Sequence, residues 1–305
     1  MSMPLIQERK TPAQNIAFLG ILAGVVVVLS VLGGFLPVVS FLVVFILAAA
    51  SALGTRITSI RYSLPFMIAA SLLSVAASFF NLTEALFYFV PSILAGGIYG
   101  IMSRNKLPLS LAIFVGAVLT LAFNYAAFFF IKGVYEIDII EDSLQILGLA
   151  ENTHVRPAIP AFLLGIGLAE MVLSHILIGI FYERFSLNTE EGWSVILIPS
   201  LAVFFSGLGV GVGFVSFPVG LAFVVSGVFF GIMSVYYLLT ACDKLLWILS
   251  GVAVLVGIFL FAILHRFMPE GSGILLASLF PFLFGLIMLI FVRRIKWTTK
   301  ESKAK

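Results

Sequence analysis

Long apolar runs dominate the chain, interrupted at short intervals by polar clusters or by glycine and proline. A helix needs about 20 apolar residues to cross the roughly 30 Å of hydrocarbon in a bilayer. Ten runs meet or approach that length: residues 16–36, 37–54, 64–80, 85–103, 108–131, 159–182, 193–212, 217–240, 245–264 and 274–292. The second and third are short and the seventh is broken by glycines, so eight to ten spans fit the pattern. The breaks carry ordinary stop signals: Gly33-Gly34 before Pro37, Arg56 to Arg61, Asn81 to Glu84, and Arg104-Asn105-Lys106 before Pro108. The fold class expected is an all-α, polytopic membrane helix bundle of about ten spans.

Composition agrees with the pattern. Of 305 residues, 62% are hydrophobic and 10% charged, against about 25% charged in a soluble domain. Lipid is therefore the expected solvent, and soluble enzymes and nucleic-acid binders are set aside. The 31 Phe and 27 Gly suit bulky contact with lipid and close contact between helices. A single cysteine, Cys242, leaves no internal disulfide and no Cys-based metal site. The polar first 15 residues and the run after them lack a cleavage signature, so that run reads as an uncleaved first span.

Charge becomes informative once it is placed along the chain. With a cytoplasmic N-terminus and ten spans, 14 of the 17 basic residues fall inside and only Lys132, Arg156 and Arg266 outside. This bias puts both termini in the cytoplasm. The basic end from Arg293 reads as a topology anchor at an anionic leaflet. The stretch from Lys132 to Arg156 is acidic, and Ile137, Ile140, Leu144 and Leu147 recur in it at helical spacing. A short amphipathic helix at the outer interface is expected there.

The chemistry of common enzymes is missing. There is no Walker A motif, no His-Glu-x-x-His and no nucleophile turn. The run Gly207-Leu208-Gly209-Val210-Gly211-Val212-Gly213 lacks nucleotide-fold spacing and reads as a flexible or closely packed helix end. No enzymatic activity, cofactor or metal is expected.

Glu170 is the one acid at bilayer depth, near the middle of the sixth span, with Ser174 a turn further on the same face. An ionised carboxylate at the bilayer centre costs about 2.5 kcal/mol or more, so such a group is protonated, paired or faces a cavity. His175, about 140° round the helix, reads as an interhelical hydrogen-bond partner. Asn124 and Tyr125 on the fifth span and Tyr88 on the fourth occupy the same outer half. Together with Glu170 they make the candidate substrate-binding set, since convergent polar groups in an apolar bundle are what a small-molecule pocket needs. Glu170 in a dry, fully packed interface, with no outward pocket near Asn124, would defeat the solute reading and favour a scaffold. Small residues at four-residue spacing, Gly20-x-x-x-Gly24 and Gly96-Gly97 with Gly100, allow close helix contact. Ser71, Ser74 and Ser78 form a stripe for another helix, and Pro91 and Pro199 are expected to bend their spans.

The first 185 residues resemble the substrate-binding S components of bacterial energy-coupling-factor transporters. Gly20-x-x-x-Gly24, the Gly-Gly-Phe-Leu-Pro turn at 33–37 and the stretch Val90-Pro91-Ser92-Ile93-Leu94-Ala95-Gly96-Gly97-Ile98-Tyr99-Gly100 carry the likeness. Over nearly its whole length the layout is similar to the YybS-type bacterial membrane proteins, an S-component-like half followed by extra spans and a basic end. The resemblance implies a half at 1–186 with an outward-facing, vitamin-sized site near Tyr88, Asn124 and Glu170, and a further four-helix half at 187–305. It also implies that Gly20 and Gly24 dock onto a transmembrane coupling subunit driven by ATPases. The expected setting is the bacterial cytoplasmic membrane, with lipid and a small solute as partners and no nucleic acid. S components end after six helices, so the added spans put docking in doubt. The rival expectations are a non-transporting scaffold of cell-envelope assembly and a self-sufficient ten-helix carrier of the drug/metabolite type.

Overall fold

The computed structural model describes residues 11–105, 107–146, 155–184, 196–241, 244–264, 266 and 272–290. The N-terminal Glu8, Arg9 and Lys10, Leu147, Cys242 and the tail from Arg293 lie outside them. Every regular element among the described residues is helical. The chain runs through α1 (Pro12–Phe35), α2 (Pro37–Ile57), α3 (Ile60–Ala77), the single turn α4 (Leu82–Glu84), α5 (Val90–Arg104), α6 (Leu109–Tyr135) and α7 (Ile139–Ile146). It continues through α8 (Val155–Arg184), α9 (Leu197–Gly213), α10 (Phe217–Ala241), α11 (Lys244–Leu264) and α12 (Leu279–Ile290).

Six helical stretches are long and apolar enough to cross a membrane: Pro12–Phe35, Ile60–Ala77, Phe79–Arg104, Leu109–Tyr135, Val155–Phe181 and Phe217–Tyr236. Shorter apolar helices cover Leu42–Ile57, Leu197–Gly213, Gly251–Leu264 and Leu275–Ile290. Their outward faces suit lipid: Ile21, Phe35, Phe129, Phe162, Leu255 and Phe259 are all more than 60% exposed. This is a membrane-embedded chain.

Local chemistry sets the helix ends. Thr11 caps α1 by accepting from Gln14 N at 3.3 Å, and Pro12 takes the first helical position, where its missing N–H costs nothing. Leu36 breaks the chain between α1 and α2, and Pro37 restarts it. Glu136, with φ 59°, stops α6 in the left-handed region. Asp138 then starts α7, accepting from Glu141 N at 3.1 Å while pairing with Lys132 at 2.7 Å. Lys132 is half exposed, so this pair contributes about 1 kcal/mol at most. Within α7, Leu144 is buried and Asp142 and Gln145 face out, the expected amphipathic split; Ile137 precedes the helix.

One of the two prolines acts differently from the sequence expectation. Pro199 lies in the first turn of α9, where its missing N–H costs no intrahelical bond, so it marks a start. Pro91 sits in the second position of α5 but within the longer helical stretch Phe79–Arg104. The turn before α5 is a π-helical segment, Ala85–Phe89, in which Val90 N–H reaches back five residues to Ala85 O. Pro65 and Pro160 are the prolines inside helices, in α3 and α8.

Two units emerge from the packing. The first comprises 1–147 with 164–192, and the second 148–163 with 193–305. In the first, α2, α5, α6 and the later part of α8 pack on one another, with α1 and α3 against α2 and α5. Gly96 and Gly100 seat α5 directly on the α2 backbone: a Cβ at either would run into the carbonyl of Ala48 or Ala52. That proximity lets Ser51 Oγ donate to Ile93 O at 2.7 Å and Thr55 Oγ1 to Gly97 O at 2.8 Å. Ser30 and Ser74 join α1 to α3 at 2.6 Å, and Ser78 Oγ donates to Ser30 O at 2.9 Å. In the second unit α9, α10 and α12 form the packed centre, with Phe205 stacked on Phe230 at 5.6 Å.

Candidate functional site

The polar centre of the first unit is built by facing positions on three helices. On α5, Ser92 follows Tyr88 by one turn. On α6, Gly116, Thr120 and Asn124 recur every fourth residue and so share a face. On α8, Gly167, Glu170, Met171 and Ser174 turn toward them. Gly116 and Gly167 make the approach close: a Cβ on Gly116 would meet Met171 Sδ at 2.7 Å, and one on Gly167 would meet Ala117 O at 3.0 Å.

Glu170 is 0% exposed. The hydroxyls of Ser92 and Thr120 face its carboxyl group, yet neither carboxyl oxygen makes a hydrogen bond. The hydroxyl protons are used elsewhere. Ser92 Oγ donates to Tyr88 O at 2.8 Å and Thr120 Oγ1 to Gly116 O at 3.1 Å. Ser174 Oγ, one turn along from Glu170, points to Phe45 O of α2 at 3.5 Å. Native proteins leave few buried polar groups unpaired, and an unpaired carboxylate charge at bilayer depth costs about 2.5–3.5 kcal/mol on insertion scales.

Asn124 is buried directly above Thr120. With its amide in the orientation that hydrogen bonding selects, Nδ2 donates to Thr120 O at 3.2 Å and to Phe87 O at 3.1 Å. Asn124 thus ties α6 to the π-helical segment through Phe87 O, the carbonyl four residues before Pro91, which has no N–H to offer it. His175 Nδ1 and Tyr99 Oη lie 2.8 Å apart, joining α8 to a phenol that is itself fully buried.

The remaining sequence candidates are placed differently. Tyr88 is 38% exposed and stands edge-on to Phe87. Tyr125 is half-buried, tilted against Phe129 at 6.4 Å. Neither phenol is hydrogen-bonded to Glu170 or Asn124. Gly20 and Gly24 lie on the exposed face of α1, where an added Cβ would meet nothing within 4 Å. The structure therefore brings Glu170 and Asn124 to one polar line, through Thr120, and leaves both tyrosines and both glycines off it. Sequence reasoning missed Ser92 and Thr120. Their signal was present in the four-residue spacings Tyr88–Ser92 and Thr120–Asn124.

In the second unit the described pocket is apolar, with a volume of 320 Å³ lined among others by Val228, Ile232, Phe280 and Phe284. Among the described residues no three His, Cys, Asp or Glu side chains cluster as a metal site. No family model, curated protein or solved structure matches the chain.

Proposed function

We propose that this membrane-embedded chain binds a small solute within its first unit, with Glu170 as the polar anchor, and carries it across a bacterial cytoplasmic membrane. One observation supports the reading above others: a fully buried carboxyl group with no hydrogen-bond partner, facing hydroxyls from two other helices. A polar solute that donates hydrogen bonds to Glu170 removes the desolvation cost that the chain alone leaves in place. With Glu170 at 0% exposure, entry of a solute requires α8 to part from α5 or α6. The resemblance to S components fits this reading. On it, Gly20 and Gly24 offer an open face to a coupling subunit.

A scaffold of envelope assembly is the second reading. It is favoured by Asn124, whose amide protons clamp α6 to the π-helical segment and so serve packing, and by the full burial of Glu170.

Native mass spectrometry of the full chain, released from membranes as purified wild type and as Glu170→Gln, separates the two. Solute binding requires a retained small molecule in the wild type that is lost from the variant. Identical spectra from both, together with equal thermal stability, would sink the solute reading in favour of the scaffold.

A further inference from the structure

The hydrogen-bond directions around Glu170 say more about its occupant than its burial does. Ser92 spends its proton on Tyr88 O and Thr120 spends its proton on Gly116 O. While those bonds to carbonyls are made, each hydroxyl has lone pairs and no second proton for the carboxyl beside it. The amide protons of Asn124 go to the carbonyls of Thr120 and Phe87, and the hydroxyl proton of Ser174 goes to Phe45 O. Both carboxyl oxygens are left with no donor. The centre is thus a set of oxygens from α5, α6 and α8, closed off from solvent, in which the hydroxyls bond backbone carbonyls and neither carboxyl oxygen is hydrogen-bonded.

Oxygen acceptors converging without a donor repel one another unless a positive centre stands among them. We infer that Glu170, Ser92 and Thr120 form a binding site for a monovalent cation, a proton or Na⁺, that is exchanged as the protein works. A proton bound on Glu170 turns the carboxyl into a donor toward Ser92 Oγ or Thr120 Oγ1. A sodium ion takes the same oxygens as hard ligands, as such cations prefer. Among the described residues no charged side chain faces Glu170. The titratable groups further along α5 and α8, Tyr99 and His175, are bonded to each other at 2.8 Å, and α2 presents a backbone carbonyl at Phe45. The site therefore has no internal countercharge, and its occupancy follows the cation supply outside the helices. The inference rests on the solute-binding reading for its use, since a site of this kind couples solute movement to a cation gradient. Its existence is tested without any solute.

The experiment takes the full chain in lipid nanodiscs, as wild type, E170Q and the double variant S92A/T120V. Infrared spectra across pH follow the carbonyl band of a protonated carboxyl group. Thermal unfolding follows added NaCl at constant ionic strength, with KCl as the balancing salt. Proton occupancy gives a protonated-carboxyl band in the wild type that is lost in E170Q and shifted in S92A/T120V, where its acceptors are gone. Sodium occupancy gives a Tm that rises with Na⁺ in the wild type and is flat in E170Q. In S92A/T120V the sodium midpoint then moves up by about tenfold or more. Should E170Q fail to fold, the wild type and the double variant still carry both readouts. A wild type with neither a protonated-carboxyl band nor a sodium response, or a double variant identical to wild type in both, overturns the site. Because no solute is present, that failure is distinct from loss of a retained molecule in mass spectrometry.

Discussion

In the first unit several hydroxyl side chains reach the backbone or side chain of another helix. Ser51 bonds Ile93, Thr55 bonds Gly97, Ser78 bonds Ser30 O, and Ser30 meets Ser74. Others, Thr58, Ser92 and Thr120 among them, bond the carbonyl four residues back. In the second unit, Ser226, Ser234 and Ser278 turn back to Ala222, Phe230 and Leu275 of their own segments. There the helices meet through shape. Gly209 lies against Val224, Gly220 against Gly213, Gly231 against Pro281 and Gly285 against Pro199. Phe205 fills the space between with rings stacked at 5° to Phe230. Lipid tails give helices no hydrophobic reason to associate, so contact rests on dispersion and on hydrogen bonds. Shape contacts tolerate small slides. Directional bonds to named carbonyls fix one register, which is what a site of converging oxygens requires. The unit that holds Glu170 is the one so fixed.

The largest expected effect falls where both devices coincide. Gly100→Val drives a branched side chain into Ala52 O and Thr55 Oγ1, pushing α5 off α2 and breaking the Ser51 and Thr55 bonds together. A loss of about 3 kcal/mol or more is expected, at the upper end of overpacking plus two interhelical bonds. Gly220→Val, against Gly213 in the second unit, disturbs shape alone and is expected to cost about 1–3 kcal/mol. Reversible unfolding in detergent measures both. Equal losses would remove the distinction between the units.

A finer test keeps volume and removes only the proton donor. Thr55→Val deletes the bond to Gly97 O and is expected to cost about 1 kcal/mol, within the range for interhelical bonds in lipid. Ser234→Ala deletes a bond within α10 and is expected to change stability by less than about 0.5 kcal/mol. If Ser234→Ala proves the more damaging, the second unit depends on its hydroxyls after all.

Much of this was legible from residue pattern, and the limits have physical causes. Helix positions followed hydrophobic run length, because lipid demands it of any spanning segment; the apolar run 245–264, for example, became Lys244–Leu264. Of the stripe Ser71, Ser74 and Ser78, the last two found Ser30 of α1, while Ser71 Oγ is buried with no hydrogen-bond partner. Glu170 stood out because charge is scarce at depth. Its neighbours did not, since a serine or threonine on an apolar helix bonds the carbonyl four residues back in either role. Only packing shows which hydroxyls also face an acid. Likewise, Pro199 was expected to bend its helix because its distance from a helix start is invisible in an unbroken apolar run. Tyr88 and Tyr125 shared the correct level along the bundle with Asn124, but a level does not specify which way a ring faces.

The smallest effect on stability is expected at Gly20 and Gly24, and its smallness is the informative part. Both are open on α1, with no atom within 4 Å of an added Cβ, whereas Gly96 and Gly100 carry the same spacing and are blocked by backbone. Sequence alone cannot separate the two pairs. Replacing Gly20 and Gly24 with alanine relieves the helix penalty of glycine, worth up to about 1 kcal/mol per residue, and adds no clash. The isolated chain should therefore be unchanged or slightly more stable in thermal unfolding. If α1 presents this face to a coupling subunit, the same variant should lose that subunit on purification from native membrane while keeping its own stability. A fall in the stability of the isolated chain would mean that the face is already in use within it, and the contrast between the two glycine pairs would collapse.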